Sequence, residues 1–153
     1  MTISEQAAWV LQAAAVRVER GWASGAAFAK DASGFTCPPA APDAVAWTAD
    51  GAIDLEARGF DDDDAVYKLA RRAATLVASE RKGTTAEPFW SHEDYNDAPD
   101  VDQQAVFSLL EQAAALLLDF PGLERVPVTP GDRISLGWQR QVLRQAKEAT
   151  NDS

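Results

Sequence analysis

The side chains best suited to acid–base chemistry lie close together in one loop. His92 is the single histidine of the chain, and Tyr95, Asn96 and Asp97 follow it closely. A carboxylate and an imidazole near each other can move a proton to or from a bound molecule, and a neighbouring amide can hold that molecule. Alternatively, Asn96 and Asp97 bond to backbone N–H groups and form an Asx turn before the next helix. The sequence leaves both interpretations open.

Other catalytic and metal sites have less support in the sequence. Nucleophilic catalysis would need Cys37 beside His92, but no helix N-terminus directly follows Cys37 to lower the pKa of its thiol. Residues 94–100 do not match a calcium loop, because an oxygen ligand and a glycine are missing at its fifth and sixth positions. We find no phosphate-binding glycine loop, dinucleotide motif or metal-binding pair of histidines. We therefore predict no metal and no cofactor, and we favour a non-enzymatic role.

The charge of the chain argues against some classes of partner. The chain has 24 acidic and 14 basic residues and a formal net charge of -10, with acids concentrated in residues 43–64 and 87–102. This field repels phosphates, so we predict no direct nucleic-acid binding through the acidic body. It could attract a basic protein groove, including one that normally holds nucleic acid. It could also serve only solubility and the stabilisation of helix starts.

The sequence also predicts a cytoplasmic protein without a membrane contact. No apolar run reaches the roughly 18 residues that cross a bilayer, and residues 1–5 do not resemble the start of a signal peptide. The lone Cys37 cannot form an internal disulfide.

Apolar spacing and end signals predict an all-α fold. The first helix ends at Gly21 in a left-handed turn, and Gly51 in the second helix indicates another backbone packed closely there. Residues 23–42 read as a loop, in which a hairpin carrying Phe28 and Phe35 is one option. The predicted helices cover residues 4–20, 43–58, 61–82, 102–119 and about 130–147.

The first four helices are predicted to form a compact bundle over residues 1–122. Residues 123–153 form a linker and a basic C-terminal helix, on which Ile134, Trp138 and Val142 make one apolar stripe. This helix could dock a protein partner, lie on a second copy of the chain, or fold back on its own body.

Exposed tryptophans would mark a contact surface. Of the five tryptophans, Trp9, Trp90 and Trp138 lie in a loop or outside the main apolar stripes, and exposed tryptophan often dominates the energy of an interface. Our candidate binding residues are Trp9, Trp90, His92, Tyr95, Asn96, Asp97, Trp138, Arg140 and Arg144.

Several separated motifs resemble one family. They run Gly21-Trp22-x-x-Gly25-Ala26, Asp31-Ala32-x-Gly34, Pro42-Asp43-Ala44-Val45-x-Trp47-x-x-x-Gly51-Ala52-Ile53 and Tyr95-Asn96-Asp97-Ala98-Pro99. Over roughly residues 5–118 the chain is similar to a family of uncharacterised small proteins from actinobacteria, other bacteria and phages. The family's hallmark is Trp-Asn-Asp before a helix that opens with Thr; here Tyr95 replaces the Trp and Asp102 the Thr.

This resemblance implies no known function. The leading hypothesis is a non-catalytic protein that binds a protein partner or associates with itself, with a phage or mobile-element connection implied by the resemblance. One alternative is an acidic inhibitor that imitates nucleic acid. Another is a small ligand-binding protein or enzyme that uses His92, Asn96 and Asp97.

Overall fold

The computed structural model describes residues 1–25, 28–82, 92–127 and 136–152. Within these ranges it contains six α-helices, a three-stranded sheet and a 3₁₀ helix. In chain order these are α1 (Ile3–Arg20), β1 (Ala29–Asp31), β2 (Thr36–Cys37), β3 (Ala44–Trp47), α2 (Ala49–Ala57), α3 (Asp63–Lys82), α4 (His92–Asn96), α5 (Gln103–Asp119), the 3₁₀ helix (Pro121–Arg125) and α6 (Leu136–Asn151).

The protein is mostly helical, but the all-α prediction was incomplete. Strands β2, β1 and β3 form an antiparallel sheet in that order, with Ala29 of β1 opposite Trp47 of β3. The predicted second helix began at Asp43, whereas residues 44–47 are strand β3. Helix α2 starts later because the side chain of Thr48 caps it, accepting a hydrogen bond of 3.0 Å from the Gly51 N–H.

Helix α1 lies at the centre of the fold, against α5, α2 and α3. Its predicted core face is fully buried at Leu11, Ala15 and Val18. Its N-cap is Thr2 and not Ser4: the Thr2 side chain accepts a hydrogen bond from Glu5, while Ser4 is buried. Helix α5 begins after Asp102, whose side chain caps it as the sequence predicts; its buried residues are Val106, Leu109, Leu110, Ala113, Ala114 and Leu117.

Two glycines allow backbones to approach each other closely. A Cβ on Gly51 would lie 2.0 Å from the carbonyl oxygen of Phe28, which confirms the prediction of a close backbone at this position. Gly21 is not the left-handed helix end that we predicted, since its φ is -166°. It is needed because a Cβ there would lie 2.1 Å from the Val45 carbonyl oxygen. Both contacts fix the sheet against the helices.

Helix α6 folds back on its own body. Val142 and Ala146 are only 4% and 1% exposed and belong to the core that includes Leu123. The N–H of Gly122 donates a 2.9 Å hydrogen bond to the Thr150 hydroxyl, so α6 is also bonded to the 3₁₀ helix. Of the three placements that the sequence leaves open, the structure shows this one.

Some predicted features lie outside the described residues. They include Trp90, Ile134 and the predicted start of the last helix near residue 130, and the side chain of Trp138 is likewise not described. The division of the chain into residues 1–122 and 123–153 stays a prediction.

Candidate functional site

A buried cluster of polar side chains joins three helices. Asp50 comes from the first turn of α2, while Tyr67, Arg71 and Thr75 lie at spacings of four on α3 and therefore share one face. His92 and Glu93 open α4. We call these residues the Asp50 centre: Asp50, Tyr67, Arg71, Thr75, His92 and Glu93.

His92 is held from both sides inside the Asp50 centre. Its Nε2 lies 2.8 Å from Asp50 Oδ1 and its Nδ1 lies 3.0 Å from the Thr75 hydroxyl oxygen. The Tyr67 hydroxyl donates a 3.0 Å hydrogen bond to the other oxygen of Asp50. His92 is 1% exposed and Asp50 is 4% exposed. Both ring nitrogens are thus engaged by protein groups, away from solvent.

Arg71 is the cation of the Asp50 centre. Its Nε lies 2.9 Å from Asp50 Oδ1 as an ion pair, although this N–H does not point at a hydrogen-bond acceptor. Its terminal nitrogen Nη2 binds Glu93 Oε1 at 2.5 Å, and the guanidinium lies over the Tyr67 ring at 5.1 Å. Arg71 therefore links one buried and one exposed carboxylate.

These contacts shift two pKa values in opposite directions. Burial alone would raise the pKa of Asp50, but the hydrogen bond and charge of His92, the charge of Arg71 and the Tyr67 hydroxyl together lower it below its ordinary value. Burial and the charge of Asp50 raise the pKa of Tyr67. Asp50 is therefore held ionised and Tyr67 is held protonated.

The same cluster contains a possible set of metal ligands. One ligand atom from each of Asp50, His92 and Glu93 lies within 4.8 Å of the other two. Nitrogen and carboxylate ligands of this kind suit zinc. However, the Arg71 guanidinium already contacts both carboxylates, and its positive charge opposes a second cation in the same place. Arg71 thus already supplies the positive charge of this cluster, which disfavours a metal ion there.

Asn96, at the end of α4, ties three segments of the chain together. Its Oδ1 accepts hydrogen bonds of 3.0 Å from the Trp22 indole N–H and from the Ala49 backbone N–H. Its Nδ2 donates to the Ala23 carbonyl oxygen and to Asp97 Oδ1, both at 3.0 Å. Every hydrogen-bonding position of this amide is filled, and the residue is buried.

A comparison with family models shows to which family the chain belongs. Residues 2–116 match the model of a family of unknown function, DUF6197. The chain belongs to the DUF6197 family. The matched span contains the Asp50 centre and Asn96, whereas α6 follows it. No curated protein and no solved structure matches this DUF6197 protein. None of its helices within the described ranges is long and apolar enough to cross a membrane.

The other candidate binding residues of this DUF6197 protein are dispersed. Tyr95 is buried and its hydroxyl accepts a 2.9 Å hydrogen bond from Arg81. Arg140 and Arg144 are exposed on α6, and Trp9 is exposed on α1. The structure therefore brings together His92, Tyr95, Asn96 and Asp97 on one short segment, whereas Trp9 lies on α1 and Arg140 and Arg144 lie on α6.

The geometry of Cys37 is unfavourable for nucleophilic catalysis. Both ring nitrogens of His92 contact Asp50 and Thr75. Partial burial and the carboxylates of Asp43 and Asp31 raise the pKa of the Cys37 thiol, whereas a nucleophile needs a lowered one.

Five members of the Asp50 centre were missed in the sequence: Asp50, Tyr67, Arg71, Thr75 and Glu93. Tyr67 and Arg71 lie on α3. The spacing of four between Tyr67 and Arg71 could have indicated a polar edge beside the apolar face of α3. Nothing local links either residue to Asp50, since the contact depends on the packing of α2 against α3.

The hydrogen bonds of Asn96 predict a large loss of stability on its removal. Asn96→Ala should lower the free energy of unfolding by about 3 kcal/mol, because the Trp22 and Ala49 donors and the Ala23 carbonyl lose their partner. Asp97→Ala should cost about 1 kcal/mol, since Asp97 is exposed. Urea denaturation followed by circular dichroism measures both. Equal, small losses in the two variants would contradict a structural role for Asn96.

Proposed function

We propose that this DUF6197 protein is a non-catalytic binding protein that holds a basic protein partner on the outer face of α1. The single observation that carries the proposal is an exposed apolar stripe on the central helix. Trp9 and Val16 are 47% and 46% exposed and lie two turns apart, with Ala13 between them. We call these three residues and the neighbouring Phe60 the outer stripe.

The outer stripe is rigidly supported. The Trp9 and Phe60 rings meet edge to face, with their centroids 5.6 Å apart and their planes at 78°. The opposite face of α1 is buried at Val10, Leu11 and Val18. A partner would therefore meet a preformed surface and would have little side-chain entropy to remove on binding.

The charge around the outer stripe selects the class of partner. Glu5 and Glu19 on α1 are exposed, and the exposed run from Asp61 to Asp64 directly follows Phe60. Of the nearby bases, Arg17 binds Glu56 at 2.7 Å and Arg58 binds Asp54 at 2.8 Å, so the exposed acids outnumber the remaining exposed base, Arg20. A complementary partner has an apolar centre and a basic rim.

A second copy of the chain fits this surface poorly. Each protomer carries a formal net charge of -10, so a symmetric contact through α1 would place acids against acids. The acidic charge around the outer stripe favours a different, basic protein as its occupant.

The Asp50 centre supports a structural role better than a catalytic one. A general acid or base must come within hydrogen-bond reach of a substrate, directly or through one water. His92 and Asp50 are instead buried and bonded to Thr75, Tyr67 and each other in the described part of the chain.

The proposal is tested by a binding measurement on three proteins. A partner captured on the wild-type protein is identified by mass spectrometry, purified and titrated against wild type, Trp9→Ala and Leu118→Ala. Leu118 is 56% exposed on α5 and serves as the control for loss of an exposed apolar side chain. Trp9→Ala should weaken binding about 30-fold, as expected for a tryptophan hot spot of about 2 kcal/mol, while Leu118→Ala should leave it unchanged.

The partner's charge and the salt dependence complete this test. The partner should be basic at its contact surface, and binding should weaken as salt rises. Competition by DNA for the partner would identify a nucleic-acid groove as the surface that the protein covers. Equal affinities for the two variants, an acidic partner, or self-association that Trp9→Ala abolishes would each contradict the proposal.

A further inference from the structure

An open cleft lies between α3, the start of α1 and the 3₁₀ helix. It has a volume of about 530 Å³, within the range of about 300–1,000 Å³ that is usual for small-molecule sites. Its apolar lining comes from Ile3 at the start of α1, Leu69 on α3, and Leu123 and Val126 in and after the 3₁₀ helix. The last three are almost fully buried, so they form a firm apolar floor.

Hydrogen bonds hold the walls of this cleft in place. The Ser4 N–H donates to Glu124 Oε2 at 3.0 Å, and the Ser4 hydroxyl donates to the Pro121 carbonyl oxygen at 2.8 Å. From α3, Arg72 donates to the carbonyl oxygens of Val126 at 2.6 Å and Pro127 at 3.1 Å. The three walls of the cleft, which are the start of α1, α3 and the 3₁₀ helix with the residues after it, are thus joined to one another before any ligand binds.

The cleft is basic although the protein is strongly acidic. Lys68, Arg72 and Arg125 line it, and Glu124, the one acidic residue in the lining that the structure describes, is bonded to Ser4. Lys68 pairs with Asp64 at 2.9 Å, but both side chains are about 70% exposed, and such a pair contributes little and exchanges easily. Arg125 donates to the carbonyl oxygen of Ala149, which carries no charge to neutralise it.

We propose that this cleft binds an amphipathic carboxylate, an aliphatic chain of medium length that ends in a single anionic group. The apolar floor takes the chain, and Lys68 and Arg125 at the rim take the carboxylate. An amphipathic carboxylate matches both the basic rim and the apolar floor of the cleft. A nucleotide would place its polar base on an apolar floor, and an acidic peptide would leave its backbone groups there without partners.

Decanoate is the probe for this site. Calorimetric titration of the full chain with decanoate, below its micelle concentration, should give saturable binding with one site. Decyltrimethylammonium has the same chain and the opposite charge, and should bind at least tenfold more weakly. The double variant Lys68→Gln/Arg125→Gln should weaken decanoate binding about five- to tenfold, the effect expected for two partly exposed charges.

Matched controls separate this site from general effects of charge. Arg140→Gln/Arg144→Gln removes two exposed bases from α6 and should leave decanoate affinity unchanged. Ala65→Phe places a ring on the wall of the cleft and should abolish binding, with folding checked by circular dichroism.

Three results would overturn the proposal. The first is the absence of saturable decanoate binding, including the case in which a second copy or another protein segment fills the cleft. The second is equal binding of the cationic probe. The third is wild-type affinity in both Lys68→Gln/Arg125→Gln and Ala65→Phe.

Discussion

Asp50→Asn should lower the free energy of unfolding by about 3 kcal/mol near pH 6. The change leaves the Arg71 charge without its buried counter-ion and weakens the contact to His92. Removal of one partner from a buried ion pair costs about 3–5 kcal/mol; we take the lower end because the Arg71 side chain is 38% exposed and can turn partly into water. Urea denaturation of the two proteins measures the difference.

The effect of Asp50→Asn should depend on pH in one direction. The pKa of Asp50 is lower in the folded protein than its ordinary value of 3.8, so its contribution to stability is present above pH 3.8. It is lost as the pH falls through the folded value. The stability difference between wild type and Asp50→Asn should therefore stay constant from about pH 6 down to about pH 4 and shrink as the pH falls further.

A control and a second readout sharpen this prediction. Asp54→Asn removes another acid from α2, whose partner Arg58 is half exposed, and should cost less than 1 kcal/mol. Spectroscopic titration should show the raised pKa of Tyr67 falling toward its ordinary value in Asp50→Asn. Equal costs for the two variants, or a difference that does not change with pH, would contradict this account of the Asp50 centre.

Gly51→Ala should destabilise the protein by about 3 kcal/mol or more. In an exposed helix interior this change stabilises by about 1 kcal/mol. Here the new Cβ would lie 2.0 Å from the Phe28 carbonyl oxygen and 2.9 Å from the Phe28 Cα, which are backbone atoms that cannot rotate away. Helix α2 and the chain entering β1 must therefore separate.

Gly59→Ala is the matched control for Gly51→Ala. The nearest atom to a Cβ on Gly59 is the Glu56 carbonyl oxygen at 4.0 Å, so this change should alter stability by less than about 1 kcal/mol in either direction. Thermal and urea denaturation of both variants distinguish the two cases. A Gly51→Ala protein as stable as Gly59→Ala would show that the sheet does not press on α2 at this point.

Local signals predicted the long helices well. Helix α5 begins after Asp102 and ends at Asp119, with Phe120 as its C-cap, both as its end signals indicate. Helix α3 spans Asp63–Lys82, close to the range that its apolar spacing and terminal charges predict. Capping and periodicity act within a few residues of the chain, so they can be read without knowledge of the fold.

The sheet was missed because its stabilising contacts are distant in the sequence. Ala44, Trp47 and Gly51 repeat at spacings that fit a helix, and Pro42-Asp43 resembles a helix start. Strand β3 forms because β1, which precedes it by more than ten residues, supplies its hydrogen bonds. Pairing between segments overrides local preference in such a case.

The candidate site was predicted only in part for the same reason. The Asn96-Asp97 pair was recognised, but the four hydrogen bonds of Asn96 go to Trp22, Ala23, Ala49 and the Asp97 side chain instead of the local backbone N–H groups of an Asx turn. Those bonds reach the side chain of Trp22 and the backbone of Ala49, which no turn pattern could indicate. Asp50 was missed because its significance depends on residues of α3 and α4.

The position of α1 has a consequence for the order in which the protein can assemble on the ribosome. The first helix to be synthesised packs against α5, which ends at Asp119, and Ser4 bonds to Glu124. Until those residues emerge, α1 lacks its largest packing partner, and part of its apolar surface stays exposed. The core must therefore close late in translation, and truncated products that lack α5 should be prone to aggregate.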